Sequence, residues 1–227
     1  METGEALRAR IAGIVAELAP PVVLAERSRA NQALFDDRAP WYETGAGADS
    51  YLSPAGLERL IAKHLHPDGG PVLDLACGTG LMGECLRRLG FSDLWGCDLS
   101  LEMLEAARGK HLYKDLRQAD LHRPLPYPTE SFAAVICAGT FFADIVAAEA
   151  LAQVLPVIRP GGWLICDVEL TAWDAGGFGA VLGRLRDLGL LSQLETEEAR
   201  MFAPGVVEDV PDAGCSSFAR FVAARRT

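Results

Sequence analysis

The chain has 227 residues, half of them hydrophobic, with 21 Lys+Arg against 31 Asp+Glu and a formal net charge of −10. That length and apolar content suit a single α/β domain with one sizeable core, and no apolar run reaches the roughly 20 residues of a membrane span. The acidic balance, with no Lys/Arg cluster beyond Arg220 to Arg226, argues against a nucleic-acid backbone as partner.

Along the chain, a helix is predicted over Glu5–Leu18, closed by Pro20-Pro21, and a second around Arg29–Phe35. A polar, aromatic segment, Asp36 to Tyr42, follows. Ser53-Pro54 starts a third helix, with a capping hydroxyl and proline in the first turn, and Leu57, Leu60, Ile61 and His64 keep its apolar stripe. Val72, Leu73 and Leu75 form a short buried strand that runs into Gly78 and Gly80, and a helix with the face Leu81, Met82, Cys85, Leu86 and Leu89 comes next. Leu94–Asp98 is a second strand, Leu101–Ala107 a helix, and Phe132–Ala138 another strand. Ile145–Ile158 is predicted as a helix ended by Pro160-Gly161-Gly162 before the strand Trp163-Leu164-Ile165. Phe178–Leu188 is the last clear helix. The pattern weakens beyond Leu191, where Ser217–Ala224 is read as a final antiparallel strand. Such strand–helix alternation implies a mostly parallel sheet with helices on both faces and ligands at its carboxyl edge.

Asp74 is the odd residue of the first strand. Burying a carboxylate costs free energy unless something pairs with it, and an amine-bearing ligand would do so. Gly78-Thr79-Gly80-Leu81-Met82-Gly83 also matches the dinucleotide pattern G-x-G-x-x-G. There, however, phosphates sit on the helix N-terminus, and an acid just upstream would repel them. Asp98 stands at the carboxyl end of the second strand, placed to accept two ribose hydroxyls. The competing reading, a cap for the helix at Leu101, is a role open to Ser100.

The string Asp74-Leu75-Ala76-Cys77-Gly78-Thr79-Gly80 closely resembles the first motif of class I S-adenosylmethionine (SAM) dependent methyltransferases. Gln118-Ala119-Asp120-Leu121 looks like the third motif of that family, and Ile158 to Ile165 like its junction into the fifth strand. Gly90 to Ser100 with Glu102-Met103-Leu104 is similar to the Williams–Beuren region methyltransferase-like proteins and their bacterial relatives. The resemblance runs from about Ser53 to Trp173. It implies a Rossmann-like, seven-stranded, mostly parallel sheet, with residues 1–52 as an N-terminal helical cap or lid and 53–227 as the core of one structural domain. It also implies SAM as cofactor, S-adenosylhomocysteine (SAH) as product, and a cofactor site built from Tyr42, Asp74, Ala76, Cys77, Gly78, Thr79, Gly80, Asp98, Leu99, Met103, Asp120, Leu121, Ala138 and Gly139. Asp120 would meet the adenine amino group. Around Phe35–Tyr42 the chain resembles a segment that covers the cofactor in many small-molecule methyltransferases, with Phe35-Asp36 where tyrosine-aspartate is usual. Tyr42 and Tyr51 are further lid residues in this reading, and Trp41 or Tyr42 would offer an aromatic face to positive charge.

Ala138-Gly139-Thr140-Phe141 stands where enzymes acting on base or glutamine amino groups carry an Asn/Asp-Pro-Pro-Tyr tetrapeptide. With Phe141, Phe142 and Ala143 read as an apolar wall, the expected acceptor is a small or partly hydrophobic molecule. Asp144 and Glu169 are the weak candidates for a catalytic base, set against bland roles as a helix cap and a loop acid; His111 and His122 are weaker. Alternatives from other classes are a SAM-binding natural-product enzyme that transfers no methyl, a non-catalytic SAM-binding protein and, more distantly, an NAD oxidoreductase. Six cysteines form no C-x-x-C pair, and Cys77, Cys97, Cys137 and Cys166, in or beside predicted strands, read as free buried thiols. With no basic head or A-x-A site among the first residues, the expected setting is a reducing cytoplasm. His64-x-His66 lacks a third ligand, so no metal is expected.

Overall fold

The computed structural model describes residues 3–19, 24–43, 53–201 and 217–227. Seven strands form one sheet: β1 (Val72–Leu75), β2 (Leu94–Asp98), β3 (Asp115–Gln118), β4 (Phe132–Phe141), β5 (Ile158–Glu169), β6 (Leu191–Arg200) and β7 (Phe218–Arg226). Their order is β3-β2-β1-β4-β5-β7-β6, and β7 runs antiparallel to both of its neighbours. The chain winds outward from β1 to β3, then returns to β4 on the other side of β1. Ligands of open α/β sheets bind at such a switch point, beyond the carboxyl ends of the strands. Here that places them over Asp74, Asp98 and Ala138.

Side-chain alternation sorts the sheet's two faces. Leu73, Leu75, Val135, Cys137, Leu164 and Cys166 pack into the larger core cluster. Val72, Ala134, Ile136, Trp163 and Ile165 pack into the other. The helix α1 (Gly4–Leu18) sets Leu7, Ile11, Ile14 and Val15 into the larger cluster, and α8 (Phe178–Asp187) adds Phe178, Val181, Leu182 and Leu185. On the opposite face, α3 (Ser53–His64) and α4 (Leu81–Arg88) contribute Leu57, Leu60, Ile61, Met82, Cys85 and Leu86. The helix α2 (Leu24–Arg38), continued by a 3₁₀ turn at Ala39–Trp41, contacts α5 (Leu101–Gly109) instead. No helix among the described residues is long and apolar enough to cross a membrane.

Three expectations are corrected. The helix expected over Ile145–Ile158 is broken into a 3₁₀ turn at Ala148–Ala150, one α-turn, α6 (Leu151–Val154), and a second 3₁₀ turn at Leu155–Val157. Pro156 has no N–H and crowds the preceding turn, so α6 cannot continue through it. The stretch Arg159-Pro160-Gly161-Gly162 lies within β5, where pairing with β4 jumps from Phe132↔Ile158 to Ala134↔Trp163. Finally, β6 and the short helix α7 (Leu170–Asp174) have no counterpart among the predicted elements. The strand β6 is polar because it is an edge. Glu195 pairs with Lys63 at 2.6 Å, Glu197 with Arg59 and Glu198 with Arg220 at 3.0 Å, and charged edges discourage pairing with a further strand.

Candidate functional site

The turn after β1 is held in conformations that side chains rarely adopt. Ala76 has φ 54°, Gly78 54° and Gly80 95°. A non-glycine residue in this region is strained, and such strain gathers at sites that need a fixed backbone. The Cys77 N–H donates to the Cys97 carbonyl at 2.9 Å and the Gly78 N–H to Asp98 Oδ2 at 2.8 Å, which locks the turn onto β2. A Cβ at Gly78 would meet nothing within 4 Å, so the turn faces open space. Thr79 Oγ1 is buried there without a protein partner. Both features fit a ligand with polar groups lying against the turn.

Asp74 already has a partner within the chain, contrary to the expectation that a ligand must supply it. The Tyr113 hydroxyl donates to Asp74 Oδ2 at 2.6 Å. Burial still dominates and pushes the Asp74 carboxyl up to about 7, against the opposing hydrogen bond from Tyr113. The tyrosine also explains the third glycine of the G-x-G-x-x-G string. A Cβ on Gly83 would stand 2.1 Å from the Tyr113 hydroxyl, and one on Gly96 would stand 3.2 Å from its ring. Gly83 thus makes room for the side chain that holds Asp74. Sequence reading missed Tyr113, because nothing local links it to a strand 39 residues away.

Asp98 is 9% exposed, and its other oxygen accepts the Ser100 N–H at 2.9 Å. Burial raises its pKa, opposed by these backbone donors. The cap of α5 is Ser100, whose Oγ accepts from the Met103 N–H at 3.1 Å and donates to Asp36 of α2. Asp98 is therefore not needed as that cap.

Two adjoining cavities lie over the carboxyl ends of β1, β2 and β4. The larger is lined by Tyr42, Ala76, Gly78, Asp98, Leu99, Met103, Asp120, Leu121, Ala138 and Gly139 from the expected set. Asn31, Phe35, Ala119, His122, Thr140, Ile145 and Val146 complete it. The smaller adds Asp74, Cys77 and Thr79, with Pro54, Leu81 and Met82, and shares Tyr42, Ala76, Gly78 and Ala138 with the first. A mostly apolar lining with a few converging polar groups is typical of a small-molecule site. Gly80 borders neither cavity; it shapes the entry into α4. Tyr42 is 38% exposed at the rim. Tyr51 and the Trp41 side chain lie outside the described residues.

Neither candidate base lines a cavity. Asp144 is exposed in a turn that starts no helix. Glu169, 1% exposed, caps α7 by accepting the Ala172 N–H at 3.1 Å and the Thr171 hydroxyl at 3.0 Å. The apolar wall expected from Phe141, Phe142 and Ala143 is also displaced. Phe141 ends β4 facing the core, its ring 4.8 Å from that of Phe178, and Thr140, Ile145 and Val146 border the cavity instead. The signal for Asn31, Ile145 and Val146 is tertiary: the Asn31 amide donates to the Ile145 carbonyl at 2.9 Å, pinning α2 to the segment after β4.

A mostly parallel sheet with a glycine turn after β1, and buried acids at the ends of β1 and β2, defines a Rossmann-like α/β protein with a ligand site at the carboxyl edge of its sheet. Sequence comparison takes this further. A family model described as a methyltransferase domain matches residues 72–162. Demethylmenaquinone methyltransferase of Deinococcus radiodurans is 36% identical over 177 residues, 74% of this chain and 72% of that one. Methyltransferase-like protein 27 of Homo sapiens is 36% identical over 135 residues, 58% of this chain and 54% of the relative, so the match spans about half that relative's length. The [4+2]-cyclase SpnF shares the fold, with a TM-score of 0.64 at 19% identity over 92% of this chain and 98% of that one. The chain belongs to the class I SAM-dependent methyltransferases.

Proposed function

We propose that this enzyme transfers the methyl group of SAM to a small, partly apolar acceptor. The observation that carries this reading is the pair of cavities meeting at Tyr42, Ala76, Gly78 and Ala138. One is rimmed by Asp98 and Asp120, the other by Asp74 and the unpartnered Thr79 hydroxyl. Asp98 would accept the ribose hydroxyls, Asp120 the adenine amino group, and Asp74 with Thr79 would hold the amino-acid end. Leu99, Met103 and Leu121 would sandwich the adenine.

The bound cofactor supplies an activated methyl on a sulfonium. The chain's own contribution is alignment and exclusion of water, which in favourable cases lowers a barrier by roughly 7–11 kcal/mol. Helix α2 and the Ala39–Trp41 turn act as the lid: Asp36 is tied to Ser100, and Glu43 to Lys110 at 2.6 Å. The acidic carboxylates at the cavities are assigned to the cofactor, and neither Asp144 nor Glu169 reaches them. With no other acid of the described residues at the cavities, an acceptor whose nucleophile ionises without a dedicated base is favoured, such as an activated phenol or a stabilised carbanion. A relative named as a demethylmenaquinone methyltransferase and the apolar lining of Phe35, Ile145 and Val146 support an acceptor with an apolar ring. The net charge of −10 speaks against a nucleic-acid acceptor. Buried free thiols at Cys77, Cys85, Cys97, Cys137 and Cys166 fit a reducing cytoplasmic setting.

Incubation with SAM and a panel of phenols, quinols and amines, followed by product mass analysis, tests the reading. A product heavier by one methylene, formed with equimolar SAH, supports it. An acceptor rearranged without a mass gain would move the enzyme to the cyclase-like behaviour of its structural neighbour. SAM binding without any turnover would favour a sensor.

A further inference from the structure

His122 sits in the loop after β3 with its side chain 3% exposed, between two carboxylates. Its Nδ1 lies 3.0 Å from Asp120 Oδ1 and 3.2 Å from the Ser28 hydroxyl of α2. Its Nε2 lies 3.2 Å from Glu149 Oε1, in the Ala148–Ala150 turn, an ion-pair contact rather than an aligned hydrogen bond. A neutral imidazole carries one N–H and an imidazolium two, so only the charged ring donates toward both acids. Burial, the largest single influence, lowers the His122 pKa, but Glu149 and Asp120 together outweigh it and the net shift is upward. Burial, the largest influence on Glu149, raises its pKa, but His122 together with the backbone N–H groups of Glu149 and Ala147 outweighs it and holds the acid below its usual range. Among the described residues, the charged groups facing the ring are Asp120 on its own loop, with Arg123 beyond it at 3.5 Å from Asp120 Oδ2, and Glu149 from the turn after β4; α2 presents the Ser28 hydroxyl. Among the described residues no three His, Cys, Asp or Glu side chains are placed to hold a metal, so the cluster is not a metal site.

The contacts on Asp120 are one-sided. Oδ1 accepts both the His122 N–H, at 3.0 Å, and the His122 ring nitrogen. Among the described residues, Oδ2 faces only the 77%-exposed Arg123. Asp120 and His122 both border the large cavity. We infer that His122, as an imidazolium anchored on Glu149, is a positioning residue that fixes the Asp120 carboxylate so that one oxygen is presented to the adenine end of the cofactor. It is not the missing base, since both nitrogens are turned toward acids. This inference rests on the SAM reading of the cavity, and it adds a charge-dependent brace between the β3 loop, the segment after β4 and the lid helix.

The test uses 5′-methylthioadenosine, which carries the adenosine end without the titrating amine and carboxylate of SAM. Its affinity for the whole protein is measured by calorimetry between pH 6 and 9. Histidine-selective NMR follows the ionisation of His122 among the four histidines, free and saturated. The expected result is an affinity that falls about fivefold as the imidazolium deprotonates. By reciprocity, the nucleoside must lower the acid dissociation constant of His122 by the same factor, which raises its pKa by the logarithm of that factor. In His122→Gln the dependence disappears and binding matches the weak, high-pH limit of the parent. In Glu149→Gln, which keeps the histidine and leaves the cavity lining intact, the fall moves to lower pH while the low-pH affinity is retained; this variant carries the test if His122→Gln does not fold. A pH profile identical in parent and variants, or a His122 ionisation indifferent to the nucleoside, would overturn the inference while leaving SAM binding intact. Failure of both SAM and methylthioadenosine to bind at any pH would overturn the cofactor reading and this inference with it.

Discussion

Four acids at the carboxyl edge of the sheet are almost completely buried, and they divide into two pairs with different fates. Asp74 and Asp98, on β1 and β2, border cavities. Asp167 and Glu169, on β5, are as deeply buried at 0% and 1% exposure, yet border none. Asp167 accepts the Gly139 N–H at 2.7 Å and so holds the turn after β4, and Glu169 is spent on the cap of α7. Burial of an acid therefore does not by itself mark a binding group. All four have hydrogen-bond partners within the chain, Tyr113 for Asp74 and the Gly78 and Ser100 N–H groups for Asp98; what distinguishes the first pair is the open space beside the carboxylate.

The contrast breaks most directly at Asp98. Asp98→Ala is expected to weaken SAM binding by about 1.5–3 kcal/mol, the range for a hydrogen bond to a charged group. Calorimetry checks this, and unchanged affinity would refute the ribose assignment. Next comes the support of Asp74. Gly83→Ala drives a methyl against the Tyr113 hydroxyl and should cost about 1–3 kcal/mol of stability in chemical denaturation, as overpacking does.

Asp74 sharpens the comparison through pH. Its folded pKa, about 7, lies above the ordinary carboxylate value, so the folded protein binds the extra proton. The contribution of this group to stability is complete near pH 4 and is lost as the pH rises through 7. Asp74→Asn should therefore raise the melting temperature of the ligand-free protein at pH 8, change it little near pH 4, and weaken SAM binding at pH 8, where the parent carboxylate is ionised. A variant that melts lower than the parent at pH 8 would show that Asp74 is a structural acid like the β5 pair.

The smallest effects are expected on β5 and beyond. Glu169→Ala loses a helix cap, about 1 kcal/mol, with cofactor affinity unchanged. Asp144→Asn should leave both turnover and melting temperature near parental values, as exposed substitutions usually do. A large loss of turnover in either variant, without loss of folding, would restore it as a base.

The same contrast governs what the sequence makes legible. Strands β1 and β2, the glycine turn, Asp74 and Asp98 are legible as local patterns, apolar runs ending in glycine or an acid, whereas Ala76 and Asp120 come only from resemblance to the family's motifs. Tyr113 and His122 gain their roles from residues in distant segments, Asp74 and Glu149, and no spacing announces them. Strand β6 is hidden by its charges, since an edge strand needs no apolar alternation. The stretch from Ile145 to Ile158 looks helical by periodicity, and only Pro156 hints at the breaks.

The central claim is that the cavities over β1, β2 and β4 form a SAM site held by Asp74 and Asp98, and calorimetric titration of the purified protein with SAM, SAH and NADH tests it most directly. The account predicts one-to-one micromolar binding of SAM and SAH, weaker at pH 5.5 than at pH 7.5 as Asp74 takes up its proton, and no heat from NADH. Binding of NADH, or SAM affinity indifferent to both Asp74→Asn and Asp98→Ala, would contradict it.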